Sequence, residues 1–368
     1  MLPADQRILL GPGPSLIAPR VMRALAAPML SHLDSDFVAI MDDLRARLAR
    51  VFQAPDGALT FAVSGTGTAG METAVANLVA ADTRVLSVVT GYFADRLAQM
   101  CTRYGGVVTR VEAEWGRAID PDLVRRALAQ SGADIVTIVH AETSTGVLNP
   151  VSEIAAIARE HGALIIVDAV TSLGGMPLDV AGWGLDAVYS CSQKCLGSPS
   201  GVAPIVFSPR ALEHKVPCRS FYFDVTLLED YWVRRKYHHT MSASLIFALR
   251  EALAAVEEEG LAARWARHQR HHLALASGLS AIGLSLLPPE GERLWTLNAI
   301  AVPAGVDDGA VRKQLLQRFN MEIGAGLGPL AGKVFRVGLM GTSSSPELVD
   351  LLLKALTEAL ASPDVRKA

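Results

Sequence analysis

A chain of 368 residues that is 50% hydrophobic, 19% charged and only 6% aromatic draws its hydrophobicity from small aliphatic side chains, which excludes a disordered chain and implies a sizeable core. Lys and Arg number 34 against 37 Asp and Glu, a formal net charge of −3 without a basic block, so a small molecule is expected as partner rather than nucleic acid or an anionic membrane. Mean hydropathy is +0.29, yet no apolar run approaches the roughly 18 residues of a spanning helix, and surplus of this kind suits a buried subunit interface.

The segment Leu9-Leu-Gly-Pro-Gly-Pro-Ser15 cannot be helical, because each proline removes a donor and fixes φ, so residues 1–20 read as an extended N-terminal arm. Met1 to Arg7 shows no cationic and apolar signal tract and Val365 to Ala368 matches no common address, so the cytoplasm is expected. From Leu59 to Phe207 short apolar runs alternate with helical spacing. The runs are Leu59 to Val63, Arg84 to Val89, Gly106 to Val111, Asp134 to Val139, Ala163 to Val167, Ala187 to Ser190 and Val202 to Phe207. Runs apolar on every residue, such as Ala163 to Val167, belong to strands covered on both faces, so the spacing predicts an α/β fold with a mostly parallel seven-stranded sheet sandwiched by helices.

After Pro209 a connector leads to a long helical stretch, Ser244 to Leu279, interrupted by Gly260. A strand at Leu297 to Val302, a helix at Gly309 to Phe319, a strand at Val334 to Leu339 and a helix at Pro346 to Leu360 then predict a small α+β domain. The resulting division is an arm over 1–20, a large domain over 21–258 and a small C-terminal domain over 259–368.

Ser64-Gly-Thr-Gly-Thr-Ala-Gly70 leaves a strand and opens a helix, where backbone N–H groups, hydroxyls and the helix dipole favour a phosphate; a plain tight turn is the alternative. Gly65, Gly67 and Gly70 also satisfy GxGxxG, but the acidic residue that a dinucleotide site requires after the next strand is replaced by Val89-Thr90-Gly91, which weakens an NAD-dependent dehydrogenase. Asp168 ends a buried strand at the sheet edge where α/β folds bind ligands; it either meets a cationic partner there or caps the turn that follows. Lys194 follows another apolar strand among small uncharged residues. In that setting its neutral amine would be favoured and could condense with a carbonyl, unless it is a surface lysine in a turn. Taken together, a phosphate turn, an acid and an amine match the phosphate, ring nitrogen and aldehyde of pyridoxal 5′-phosphate.

Four cysteines, Cys101, Cys191, Cys195 and Cys218, are too few for a disulfide scaffold and lack CxxC spacing, so reduced thiols are expected. His268, His271 and His272 share one predicted helix without a nearby acid or HExxH, which reads as a solvated face and no metal site.

Over essentially its whole length the sequence resembles the class V aminotransferases of fold type I, and within them the alanine:glyoxylate and serine:glyoxylate types. The motifs are Leu10-Gly-Pro-Gly-Pro-Ser15, Ser64-Gly-Thr-Gly-Thr68, His140-Ala-Glu-Thr-Ser-Thr-Gly146, Val167-Asp-Ala-Val-Thr-Ser-Leu-Gly-Gly175, Ser192-Gln-Lys194, Tyr237-His-His-Thr240 and Gly332-Lys-Val-Phe-Arg-Val-Gly338. The resemblance implies that Lys194 holds the cofactor, Asp168 pairs with its ring nitrogen, and Val170 and Phe93 pack on opposite ring faces, Phe93 standing where animal members usually have Trp. It implies phosphate binding by Thr66, Gly67, Thr68 and Gln193, joined by Tyr237 and Thr240 of a neighbouring subunit in a homodimer with interfacial active sites. Thr143 is placed near the phenolic oxygen, and Arg336, with Gly13, Thr143 and His32, at the substrate, whose carboxylate Arg336 would clamp with its planar fork. The implied reaction carries an amino group from alanine or serine to glyoxylate by a ping-pong mechanism. The chain also resembles ureidoglycine:glyoxylate aminotransferases, at Glu112-Ala-Glu-Trp-Gly116 and Arg267-His-Gln-Arg-His-His272, but those typically carry amides where Tyr237 and His32 stand here. A cysteine desulfurase would need a nucleophilic cysteine well after the lysine, and none follows Cys218.

Overall fold

The strand runs assemble into one seven-stranded sheet in a computed structural model that describes residues 7–367; Ala368 and the first six positions of the arm, with the readings placed on them, lie outside the described residues. From edge to edge its strands are Leu59–Ser64, Val202–Phe207, Ala187–Tyr189, Leu164–Asp168, Ile135–Val139, Arg84–Val89 and Val107–Glu112. Val202–Phe207 runs antiparallel to both neighbours and every other pair is parallel. The interior strands are buried along their length, as all-apolar runs require, apart from Arg84 at the start of Arg84–Val89, whereas no residue of the edge strand Val107–Glu112 is buried. Strand boundaries move by about one residue from the sequence pattern, which is blind to where pairing stops.

Parallel pairing aligns Asp168 with Tyr189 at the C-terminal ends of their strands, and Ser64 closes its strand at the same edge. The loops that carry Gly67, Val170 and Lys194 therefore leave the sheet side by side, as open α/β sheets place their ligand sites.

Two large hydrophobic clusters form beside several small ones. One extends from Phe37 to Val256 between the sheet and its helices; the other joins Leu275, Leu315, Phe335 and Leu356 around the three-stranded sheet Leu297–Ala301, Val334–Gly338 and Gly324–Ala325. Leu10 of the arm, fully buried, belongs to the second cluster, and Ile8–Leu9 pairs in parallel with Met321–Glu322. Ile8–Leu9 of the arm is thus a strand of the C-terminal unit, whereas Pro19 and Arg20, expected to be extended, open the helix Pro19–Leu25, where proline is tolerated in the first turn.

The long helical stretch divides at Gly260 (φ +79°) into Ala243–Glu259 and Leu261–Ala281. Here one expectation is corrected. His268, His271 and His272 are not a solvated face but buried, bonded to the Arg264 carbonyl, the Ser344 hydroxyl and the Asn298 side-chain oxygen. Their helix lies between the two clusters, so its polar side is filled by protein, and burial pulls all three rings below the ordinary histidine range. No group of three metal-ligating side chains occurs among the described residues, and no described helix is long and apolar enough to cross a membrane. All four cysteines are free.

Candidate active site

A cavity of about 180 Å³ opens where the strand ends converge, lined by Thr66, Gly67, Thr68, Phe93, Thr143, Asp168, Val170, Gln193 and Lys194. Met71, Arg96 and Val139, which the sequence did not single out, complete it. At its floor the Asp168 carboxylate accepts the Val170 N–H at 2.8 Å and the Tyr189 hydroxyl at 2.9 Å. Burial nonetheless pushes the carboxyl up to about 7, because those neutral donors do not replace the lost water. Lys194 projects from the loop after Ala187–Tyr189 and donates to the Pro12 carbonyl. Burial lowers its pKa, and the nearby Arg336 charge adds to the effect.

The glycine turn stands across the cavity at the start of helix Gly67–Leu78. Thr66 occupies the N-cap without a capping bond from its side chain, and Thr66 and Thr68 are exposed, Thr68 Oγ1 accepting Arg96 Nη1 at 3.4 Å, so this helix end offers N–H groups, hydroxyls and a guanidinium to an anion. A Cβ on Gly67 would lie 2.9 Å from Val170 Cγ2, so only glycine lets the turn approach the Val170 loop. Phe93 enters from helix Tyr92–Arg103 with the Arg96 guanidinium 5.1 Å from its ring centre.

Glu142 is a structural member of this site that sequence reasoning quoted only within a motif. Fully buried, it accepts bonds from the N–H groups of Phe93 at 3.4 Å, Ala94 at 3.1 Å and Ser144 at 3.0 Å, and from the Ser144 hydroxyl at 2.6 Å. It thereby holds the helix that presents Phe93, since a carboxylate is favoured at a helix N-terminus. The available signal was an acid within an otherwise uncharged segment. Tyr189 was likewise missed, because its contact with Asp168 arises only from strand register.

Arg336, from strand Val334–Gly338, is 7% exposed and donates to the carbonyls of Ala325 at 2.6 Å and Thr143 at 3.3 Å. It has no ion pair among the described residues, and burial pulls its pKa down to about 10 despite the Glu142 charge. The Thr143 hydroxyl meets that of Thr171 at 2.5 Å. Gly13 packs against the lysine: a Cβ there would fall 2.6 Å from Lys194 Cδ and 2.7 Å from Nζ, and φ is +103°. His32, Tyr237 and Thr240 do not join this cavity. His32 and Tyr237 have ring centres 5.5 Å apart, the Tyr237 hydroxyl is 3.4 Å from Thr240 Oγ1, and Tyr237 is 62% exposed.

Pyridoxal 5′-phosphate suits the residues present. A half-buried amine, an acid without an ion pair among the described residues and an uncapped helix N-terminus match its three functional ends, and Gln193 Oε1, buried beside Lys194, has no hydrogen-bond partner among them. A dinucleotide does not suit them. The strand before the glycine turn is a sheet edge with an antiparallel neighbour, not the central parallel strand of a Rossmann crevice.

Fold and site thus define an α/β protein with a lysine, an acid and an open helix N-terminus around one cavity at the strand ends. The family model "Aminotransferase class-V" matches residues 13–339. The alanine–glyoxylate aminotransferase of Drosophila melanogaster is 38% identical over 97% of this chain and 93% of that protein. Among solved structures, an alanine–glyoxylate aminotransferase from Nostoc sp. is similar with a TM-score of 0.95 and 45% identity, covering 98% of this chain and 96% of that one. A ureidoglycine–glyoxylate aminotransferase from Bacillus subtilis is similar at TM-score 0.95 and 38% identity, covering 98% and 94%. The chain belongs to the class-V aminotransferase family. It is an aminotransferase acting on small amino and oxo acids, and membership implies dependence on pyridoxal 5′-phosphate.

Proposed function

We propose that the enzyme moves the amino group of alanine or serine to glyoxylate, yielding glycine and a 2-oxo acid in two half-reactions on one site. The observation that carries this reading is Arg336: a buried guanidinium without an ion pair among the described residues, beside Lys194, is a receptor for the single carboxylate common to these substrates. The relatives named for alanine–glyoxylate transfer support the acceptor.

The cofactor, when bound, supplies a ring that accepts the electrons left on the substrate Cα after its proton departs. Asp168 would hold the ring nitrogen; Val170 and Phe93 would flank the ring, and Thr143 would lie by its phenolic oxygen. Thr66, Gly67, Thr68 and Gln193 would take the phosphate. Arg336 orients the substrate carboxylate so that the Cα proton faces Lys194 Nζ, and the amine, whose charged form burial disfavours, takes up that proton and hands it on. Gly13 leaves the lysine the room this requires.

The working unit in this proposal is a homodimer in the cytoplasm, with the arm, large domain and small domain divided at 20/21 and 258/259. Tyr237 and Thr240 would reach the phosphate of the partner's site, and His32 its substrate. Exposed Met29, Leu33, Phe221 and Tyr237 support such an interface, and four free cysteines suit a reducing compartment. Aromatic Tyr237 and His32, in place of amides, favour alanine and serine over ureidoglycine. Titrating the holoenzyme with each donor and following its visible band tests this: alanine and serine should discharge the band and ureidoglycine barely affect it. The reverse ranking would overturn the donor assignment.

A further inference from the structure

Helix Leu261–Ala281 meets Ala243–Glu259 at a junction that touches both catalytic cations indirectly. Arg264, 6% exposed, donates to the carbonyl of Cys195, the residue after Lys194, at 2.6 Å and to that of Gly174 at 3.0 Å. Arg267 donates to the carbonyls of Gly341 at 3.0 Å and Ser344 at 2.7 Å, in the segment that follows the strand bearing Arg336. One carboxylate joins them: Glu259 accepts Arg264 Nη1 at 2.5 Å, Arg267 Nε at 2.5 Å and Arg267 Nη2 at 3.0 Å. The loops so held are in contact, since a Cβ on Gly341 would lie 3.4 Å from the Cys195 carbonyl oxygen and 3.6 Å from that of Lys194. His268 closes the arrangement, its Nδ1 2.8 Å from the Arg264 carbonyl oxygen and its Nε2 accepting the Gly341 N–H at 3.2 Å.

We infer that Glu259, gripped by Arg264 on the lysine side and Arg267 on the arginine side, is a positioning device that fixes the separation of Lys194 and Arg336 and so sets the affinity for the substrate carboxylate. None of the three touches the reacting atoms. Their bonds end on backbone carbonyls of opposite sides of the cleft, and two arginines sharing one carboxylate resist sliding because each fork fixes direction as well as distance. A small displacement of one side against the other moves the carboxylate receptor away from its place beside the amine, and the loss falls mainly on binding of the carboxylate, whose bidentate geometry is the more exacting.

The inference rests on Arg336 as carboxylate receptor, and a double-mutant cycle on the holoenzyme separates the two. Arg336→Gln should raise KM for the amino donor by about a hundredfold, and Arg267→Gln by about tenfold with kcat within about threefold and cofactor content unchanged. The double variant should be no worse than Arg336→Gln alone, because Arg267 acts through Arg336. If the two effects multiply, or if Arg267→Gln leaves KM at the wild-type value, the positioning role is refuted while the receptor stands. An Arg336→Gln enzyme with wild-type KM removes the receptor and the inference with it. Should Arg267→Gln not fold, Arg267→Lys keeps the charge beside Glu259 without bridging two carbonyls and enters the same cycle with the same outcomes.

Discussion

Arg264 and Arg336 are buried to nearly the same depth, 6% and 7% exposed, and live in opposite circumstances. Arg264 has a carboxylate and two carbonyls for its fork; Arg336 has two carbonyls and no ion pair among the described residues. The same contrast separates their surroundings. Around Glu259 the charges close on each other, and its carboxyl is held down at about 2 by its two arginines against burial. Around Lys194 they do not: the acid is pushed up, the amine down, and the guanidinium stays unpaired. Buried charge left incomplete by the protein marks where a ligand completes it, whereas buried charge completed internally holds the frame.

Substitutions on the two sides should therefore fail differently. Lys194→Ala should abolish turnover, by at least about a thousandfold, while leaving melting temperature unchanged or higher; a variant that still transaminates at the wild-type rate would break the contrast outright. Arg264→Gln should instead lower stability, by about 3 kcal/mol, because Glu259 loses a partner and the Cys195 and Gly174 carbonyls lose donors; denaturant unfolding measures it, and an unchanged midpoint would show the network to be dispensable for stability.

The subtlest case is Asp168→Asn in cofactor-free protein. The folded-state pKa is raised from 3.8 to about 7, so the stability linked to this carboxyl is fully present below about pH 4 and is lost as pH rises through about 7. The asparagine variant should thus match the wild type in acid and exceed it by roughly 4 kcal/mol above pH 7, although it loses catalysis. Stability curves that stay parallel across that range would mean the acid is better solvated than its burial implies.

Much of the site was legible along the chain because it sits in contiguous motifs at strand ends. Asp168 closes an unbroken apolar run, Lys194 stands without acidic neighbours, and the glycine turn carries its own signature. The histidines of helix Leu261–Ala281 misled for a related reason: polar residues on one face read as solvated unless a second layer of protein is known to cover them. Glu142 and Tyr189 escaped because their roles depend on partners distant in sequence, Phe93 and Ala94 for the one and Asp168 for the other.

The sequence by itself determined the strand-and-helix rhythm, the chemistry available at each strand end and, through its motifs, the family. Only the tertiary structure decided which charges are completed by protein and which are left for a ligand, that the N-terminal arm serves the C-terminal core, and that one glutamate links the lysine loop to the arginine strand. The reason is physical: periodicity and local composition act within a few residues, whereas desolvation and pairing of charge depend on groups hundreds of residues apart that only packing brings within hydrogen-bond reach.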